Sequence, residues 1–189
     1  HRVTVELTGP ALGLIELESI ARGMVIADVL VKRAAVRLAL AEAVSPGKYL
    51  LIFSGPVAET EESFAAGCAA GGAQVIDKLL LPQLAAGVRR ALAEKPDAMK
   101  AGDAVGIVET HTVAAAVLAA DTALKRAGVK LTRLHLALGI GGKGYFTLAG
   151  SQHDVEAALE GAAAAIEPHL LVTTELISRP HGELKGPVF

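Results

Sequence analysis

The stretch GIGGKG, residues 139–144, has the G-x-G-x-x-G spacing with which many dinucleotide-binding loops hold a pyrophosphate. That chemistry needs a loop leading from a strand into a helix, because the amino end of the helix binds the phosphates. The residues after Gly144, YFTLAG, predict a strand instead. The sequence does not match a Walker A loop either, since Lys143 is followed by glycine rather than by Ser or Thr. On local grounds the sequence favours a hairpin turn whose glycines supply positive φ angles.

Other residues capable of chemistry form no catalytic set. Glu16 and Glu109 recur at strand ends, but no recurring His, Ser or Lys stands beside them in sequence, so we expect a structural hydrogen-bonding role. Cys68 is the only cysteine, which excludes an internal disulfide, and we expect it to act as a small buried hydrophobe. The histidines lack metal-ligand spacing. We therefore predict no enzyme, no metal and no cofactor.

Composition narrows the function classes further. Eighteen basic and twenty acidic residues leave a net charge of −2, which disfavours nucleic acid as a partner. No apolar run approaches the roughly 20 residues of a membrane helix, and the amino end HRVTVELTGP lacks a signal peptide's apolar segment. Hydrophobic residues make up 52% of the chain and aromatic ones 3%, which favours a core of small aliphatic side chains. We expect a cytoplasmic protein without membrane contact.

The chain contains two copies of one pattern. ALGLIELESIARGMVIADVLVKRAAV begins at Ala11, and AVGIVETHTVAAAVLAADTALKRAGV begins at Ala104, 93 positions later. Further on the offset becomes 95, which aligns SPGKYLLIFSG with IGGKGYFTLAG. Between the copies, AEKPDAMKAGD has the composition of a solvated linker. We therefore predict two domains, residues 1–100 and 101–189, the first of them with an amino-terminal extension and a short final helix from PQLAAGVRRALAE.

Each copy predicts the element order β-α-β-β-α-β, an α+β fold of ferredoxin-like type. Ser19 and Thr112 stand at equivalent positions to cap the first helix of each copy. That helix has an apolar stripe at helical spacing, which we expect to be buried. The stripe is Ile20, Met24, Ala27, Val31 and Ala34 in the first copy and Val113, Val117, Ala120, Leu124 and Ala127 in the second.

Each copy contains an ordered set of motifs: LGLIEL or VGIVET, then ADVLVKRAAV or AADTALKRAGV, then a glycine-bearing hairpin loop, and the second copy closes with ISRPH. This ordered, repeated set resembles the bacterial microcompartment shell proteins, and the duplication resembles their tandem-domain, trimer-forming subgroup. The resemblance covers nearly all of residues 11–181. It implies a homotrimeric pseudohexamer that tiles with hexameric single-domain and pentameric vertex subunits in a microcompartment shell.

The resemblance also implies positions for the site residues. Loop residues would line a central pore for small polar or anionic metabolites, and the second loop's glycines would allow gating: Ser45, Pro46, Gly47, Gly139, Ile140, Gly141 and Gly142. Lys48 and Lys143 would add positive potential near the pore. The helix pairs and one arginine would lie at disc edges: Asp28, Lys32, Asp121, Lys125 and Arg179. The first copy lacks an arginine before its proline in LLLPQL, and neither loop has the cysteine with which some tandem members bind an iron–sulfur cluster.

Two other function classes stay open at this point. Ferredoxin-like trimers also place small ligands in clefts between subunits, so a trimeric ligand-binding regulator is the first alternative. An enzyme that uses those clefts is the second, and the absence of a catalytic constellation disfavours it.

Overall fold

The computed structural model of the chain describes residues 4–184 and divides it into two compact units. Unit 1 comprises the chain up to Leu84 together with Ala137–Gly142, and unit 2 comprises Ala85–Leu136 and the chain from Lys143 onwards. The outermost residues of the two predicted domains, 1–3 and 185–189, lie outside the described residues.

Unit 1 contains a four-stranded antiparallel sheet with two helices. Its strands are β1 (Ala11–Leu17), β2 (Arg37–Val44), β3 (Lys48–Gly55) and β4 (Val75–Leu81), in the order β2-β3-β1-β4. The helices are α1 (Ile20–Arg33) and α2 (Val57–Gly71). The central strand β1 is buried along its whole length and pairs with β3 on one side and with β4 on the other.

Unit 2 repeats this architecture and adds one helix. Its strands are β5 (Ala104–Thr110), β6 (Lys130–Leu136), β7 (Gly144–Gly150) and β8 (Leu171–Ile177), in the equivalent order β6-β7-β5-β8. The helices of the repeat are α4 (Val113–Arg126) and α5 (Gln152–Ala164). The additional helix is α3 (Ala86–Leu92), and a single 3₁₀ turn, Gly182–Leu184, follows β8. The predicted ferredoxin-like α+β fold is confirmed in both copies.

Helix α3 explains why the units divide before the linker. The sequence favours a boundary near residue 100 and assigns this helix to the first domain. In the structure α3 packs against α4 and β6, so contacts group it with unit 2 and the division falls at Leu84. A helix joins the unit on which it buries its apolar side, and composition alone does not reveal which unit that is.

Local features recur at matching positions. The predicted caps are confirmed, since the Arg22 amide donates to Ser19 Oγ at 3.1 Å and the Ala115 amide donates to Thr112 Oγ1 at 3.2 Å. The pairing of β1 with β4 shifts register after Glu16, and the pairing of β5 with β8 shifts after Glu109. The duplication therefore extends to irregularities of the backbone.

The prediction for the apolar stripe of α1 is wrong. Gly23, Ile26 and Leu30 are the buried residues of this helix, whereas Ile20, Met24 and Val31 are exposed. The predicted stripe lies about 100° around the helix from the face that is buried. Because the residues of both faces have helical spacing, the spacing alone does not distinguish them. In α4 the predicted residues Val113, Val117 and Ala120 are buried, together with Ala116 and Ala119 on the neighbouring face. An equivalent surface is thus covered in one copy and exposed in the other.

Candidate functional site

The two glycine-bearing loops are hairpin connections, residues 45–47 between β2 and β3 and residues 137–143 between β6 and β7. In the first, the Gly47 amide donates to the Val44 carbonyl at 2.9 Å and Gly47 has a φ of 119°. In the second, φ is 74° at Gly139, 67° at Gly141 and 79° at Gly142. The second loop leads into β7 rather than into a helix. It therefore lacks the helix end that a pyrophosphate site requires, and the hairpin interpretation is confirmed.

The two loops meet within unit 1. A Cβ added at Gly142 would lie 2.7 Å from the Ser45 carbonyl oxygen and 3.1 Å from Pro46 Cδ. Gly142 is buried by this approach, whereas a Cβ at Gly47, Gly139 or Gly141 would meet no atom within 4 Å. Of the other loop residues, Ser45 and Pro46 are exposed and Ile140 is half-buried. Of the loop residues that the sequence singled out, the structure thus brings Gly142 of the second copy against Ser45 and Pro46 of the first.

A glutamate–lysine ion pair supports each loop. Lys48 Nζ lies 3.7 Å from Glu16 Oε2, and Lys143 Nζ lies 2.7 Å from Glu109 Oε1. In both pairs the lysine borders the loop and the glutamate comes from the central strand. The Glu16 side chain is only 2% exposed, compared with 34% for Glu109. Because it is buried, the first pair is screened far less by water than the second.

These pairs correct two expectations. Glu16 and Glu109 have the structural role that we expected, but each fulfils it in an ion pair. The sequence analysis did not identify Lys48 and Lys143 as their partners. The sequence contains a signal for this pairing, because the glutamate recurs 93 positions later and the lysine 95 positions later, at the two offsets of the repeat. Lys48 and Lys143 also add less positive potential to the loops than expected, since a carboxylate within 4 Å cancels most of the field of a lysine at longer range.

The predicted edge pairs occupy two different environments. Lys32 Nζ lies 2.6 Å from Asp28 Oδ2, and both side chains are more than half exposed. Lys125 Nζ lies 2.6 Å from Asp121 Oδ2, but the Asp121 side chain is 3% exposed. Its other oxygen, Oδ1, accepts a hydrogen bond of 2.7 Å from the Ala85 amide. Asp121 therefore anchors the start of α3 and does not form the exposed rim that the sequence led us to expect.

The remaining candidate residues add no reactive centre. Arg179 is exposed beyond the end of β8. Within residues 4–184 no group of three or more His, Cys, Asp and Glu side chains is placed to hold a metal ion. His135 stacks on Tyr145 with ring centroids 5.3 Å apart, a cross-strand pair of β6 and β7. Across the described part of the chain, no helix has the length and apolar character needed to span a membrane.

Comparison with known sequences places both copies in one family. The BMC domain matches residues 11–84 and again residues 104–180. The bacterial microcompartment shell protein PduT of Citrobacter freundii is 42% identical over 172 residues, which cover 90% of this chain and 93% of that protein. The match therefore extends over both copies and the linker.

Solved structures agree with this result. A microcompartment protein from Desulfitobacterium hafniense superposes with a TM-score of 0.81 at 36% identity, and the match covers 94% of this chain and 98% of the other. A fused permuted hexameric shell protein from the RMM microcompartment has a TM-score of 0.61 at 21% identity, over 82% of this chain and 79% of the other. At that identity the second similarity concerns the fold alone.

Proposed function

Because the chain belongs to the BMC-domain family of bacterial microcompartment shell proteins, it is a structural shell subunit, and we propose that three copies form a ring of six domains around a central opening. Family membership favours this role over that of a ligand-binding regulator or an enzyme. In a closed ring of identical chains, each subunit contacts its two neighbours through the same two surfaces, so neither surface is left without a partner.

The approach of Gly142 to Ser45 is the observation that carries this proposal. Loops from two copies, far apart in sequence, lie side by side, and their exposed residues have little side-chain bulk. Three such pairs of loops around a threefold axis would border an opening with a threefold outline, because the second loop (residues 137–143) is longer than the first (residues 45–47). We propose that Ser45, Pro46, Gly47, Gly139, Ile140 and Gly141 line this opening, with the buried Gly142 behind them against Ser45.

Selectivity in this opening arises mainly from the backbone. We infer that loop amides other than those of Gly47 and Ile140, which donate within their own turns, supply hydrogen-bond donors that suit small polar or anionic metabolites. Lys48 and Lys143 contribute less, because each is paired with a glutamate. The freedom of Gly139 and Gly141, where a side chain would meet only open space, also allows the second loop to switch between a wide and a narrow opening.

The outer edge of the ring makes the contacts that extend the shell. Lys32 and Arg179 are exposed, and we propose that they contact neighbouring discs, both copies of this trimer and the single-domain hexamers and vertex pentamers of the shell. Asp28 is exposed beside Lys32. Lys125 is half-exposed and contributes from the second copy, whereas Asp121 acts from within by holding Lys125 and α3.

The mass of the purified protein in solution tests the ring directly. Sedimentation equilibrium is expected to give three times the chain mass, and electron microscopy with single-domain shell partners is expected to show hexagonal arrays or closed particles. A single-chain mass at concentrations of tens of micromolar would overturn the proposal.

Passage of ions through assembled shells tests the opening. We expect small anions to pass faster than cations of equal size, and Lys143→Glu to reduce anion passage because it places a second carboxylate beside Glu109 at the loop. Lys95→Glu makes the same change of charge at an exposed residue of the linker and is the matched control. No preference for anions, or equal effects of the two variants, would contradict the selectivity.

A further inference from the structure

Exposed large hydrophobic residues are concentrated on one helix. Within residues 4–184 there are six of them, and four lie on α1: Ile20, Met24, Val25 and Val31. Met24 is 58% exposed and Val31 46% exposed. We call Ile20, Met24 and Val31 the α1 stripe. A contiguous apolar surface of this kind on a structural subunit marks an interaction surface.

The equivalent surface of α4 has an occupant within unit 2. Val31 corresponds to Leu124, and Gly87 of α3 lies so close to Leu124 that an added Cβ would be 2.8 Å from Leu124 Cδ1. The Ala85 amide, just before α3, donates to Asp121 Oδ1. Val88 of α3 is fully buried. A short helix that follows the last strand of copy one therefore covers the carboxyl-terminal part of the copy-two helix, at Asp121 and Leu124.

The chain carries a second segment of the same kind after its other last strand. Helix α3 begins at the fifth residue after the end of β4, and the 182–184 turn begins at the fifth residue after the end of β8. In this register His181 corresponds to Ala85, Glu183 to Gly87 and Leu184 to Val88. Leu184 is 36% exposed where Val88 is fully buried. One chain thus presents both an uncovered apolar helix face and an uncovered apolar turn.

We propose that the 182–184 turn of one subunit packs on the α1 stripe of the next subunit, as α3 packs on α4 within one chain. The His181 amide donates to the Asp28 carboxylate, as the Ala85 amide does to Asp121, and Leu184 is buried against Met24 and Val31. The inference rests on the proposed ring of three subunits and names the contact that closes it. A second copy of the chain is the partner because the α1 stripe and the 182–184 turn are equivalent, residue by residue, to α4 and α3, which already pack on each other within one chain.

Disulfide trapping tests the contact. The pair equivalent to Leu124 and Gly87 is Val31 and Glu183, so V31C/E183C in a Cys68→Ser background is expected to form chains linked in twos and threes on a non-reducing gel. E61C/E183C carries the same number of thiols, with one on an exposed residue of α2, and serves as the control. Cross-linking no stronger than in the control, in a preparation whose mass is that of three chains, would overturn the inference and leave the ring standing.

A substitution without new thiols gives an independent readout. Leu184→Asp is expected to raise the dissociation constant of the trimer about tenfold or more, because an apolar contact is lost from the interface. Ile76→Asp makes the same change at an exposed residue of β4 and is expected to leave the trimer unchanged. An unaltered trimer in Leu184→Asp contradicts the inference. A single-chain mass for the unmodified protein would instead remove the proposed ring, and this contact with it.

Discussion

Gly23 of α1 lies against the ring of Tyr49 in β3, so closely that an added Cβ would be 2.3 Å from Tyr49 Cδ1. The equivalent residues of the second copy are Ala116 and Gly144, and there a Cβ added at Gly144 would be 2.5 Å from Ala116 Cβ. The small residue is on the helix in one copy and on the strand in the other. The close approach of helix and strand therefore needs a glycine on one side in each copy.

The substitution Gly23→Ala is expected to destabilise the protein despite the better helix propensity of alanine. The gain in propensity is about 1 kcal/mol, whereas overpacking against a buried ring costs about 1–3 kcal/mol, and the contacting atoms belong to the inner part of the Tyr49 side chain. Urea unfolding at one fixed protein concentration measures the change. In the Tyr49→Gly background, which reproduces the second copy, Gly23→Ala should cost clearly less. Equal costs in both backgrounds would show that the two residues are not coupled.

The buried ion pair predicts unequal effects of two lysine substitutions. Lys48→Met removes the cation from a carboxylate that is almost fully buried, and we expect a loss of about 3 kcal/mol of unfolding free energy. Lys143→Met removes the equivalent cation beside a partly exposed carboxylate, and we expect a loss below about 1 kcal/mol. Denaturant titration compares the two variants.

The added substitution Glu16→Gln should recover much of the loss in Lys48→Met, because a neutral amide is less costly to bury than a carboxylate. Absence of recovery would mean that packing of the lysine stem, rather than charge, causes the loss.

Two neighbouring loop glycines are expected to respond differently to alanine. Gly141→Ala and Gly142→Ala both place a side chain at positive φ, which costs about 1 kcal/mol. Only Gly142→Ala also places a Cβ against the Ser45 carbonyl. We expect it to lower the thermal midpoint further and to move the loops apart in a cryo-EM map, with Gly141→Ala as the matched control. The same loop positions in both variants would contradict the close approach.

The thiol of Cys68 is expected to react slowly. Burial raises the pKa of the Cys68 thiol, and the nearby Lys78 charge opposes this only in part. Because the thiolate is the reactive form, alkylation by iodoacetamide at pH 8 should be slower than for free cysteine, and its rate should keep rising at pH values where free cysteine has levelled off. The urea-unfolded chain is the control and should react at the rate of free cysteine. A native rate equal to the unfolded rate would show that the thiol is not shielded.

The sequence predicts a buried Cys68, and the structure agrees with this only in part. It is half-buried and packs beside the core of unit 1, formed in part by Ile26, Leu30 and Phe53. Sequence alone supports this assignment, because Cys68 follows Phe64 by one helical turn. The pKa of the Cys68 thiol depends on how deeply this turn of α2 is buried. The helical spacing of residues in the sequence does not give that depth.

The amino-acid sequence by itself determined the duplication, the element order of each copy, the caps at Ser19 and Thr112, and the loops at Gly47 and Gly142. These features depend on interactions between residues close in the chain, such as a hydroxyl near a free amide or a glycine at positive φ, so a repeated local pattern produces a repeated local structure.

Only the tertiary structure decided which of two apolar stripes on α1 is buried, why Asp28 is exposed while Asp121 is covered, and which glutamate meets each lysine. The reason is that burial depends on what another part of the chain places on a surface. Helix α3 covers the second copy, and no segment among the described residues does the same for the α1 stripe, so nearly identical sequences have different surroundings.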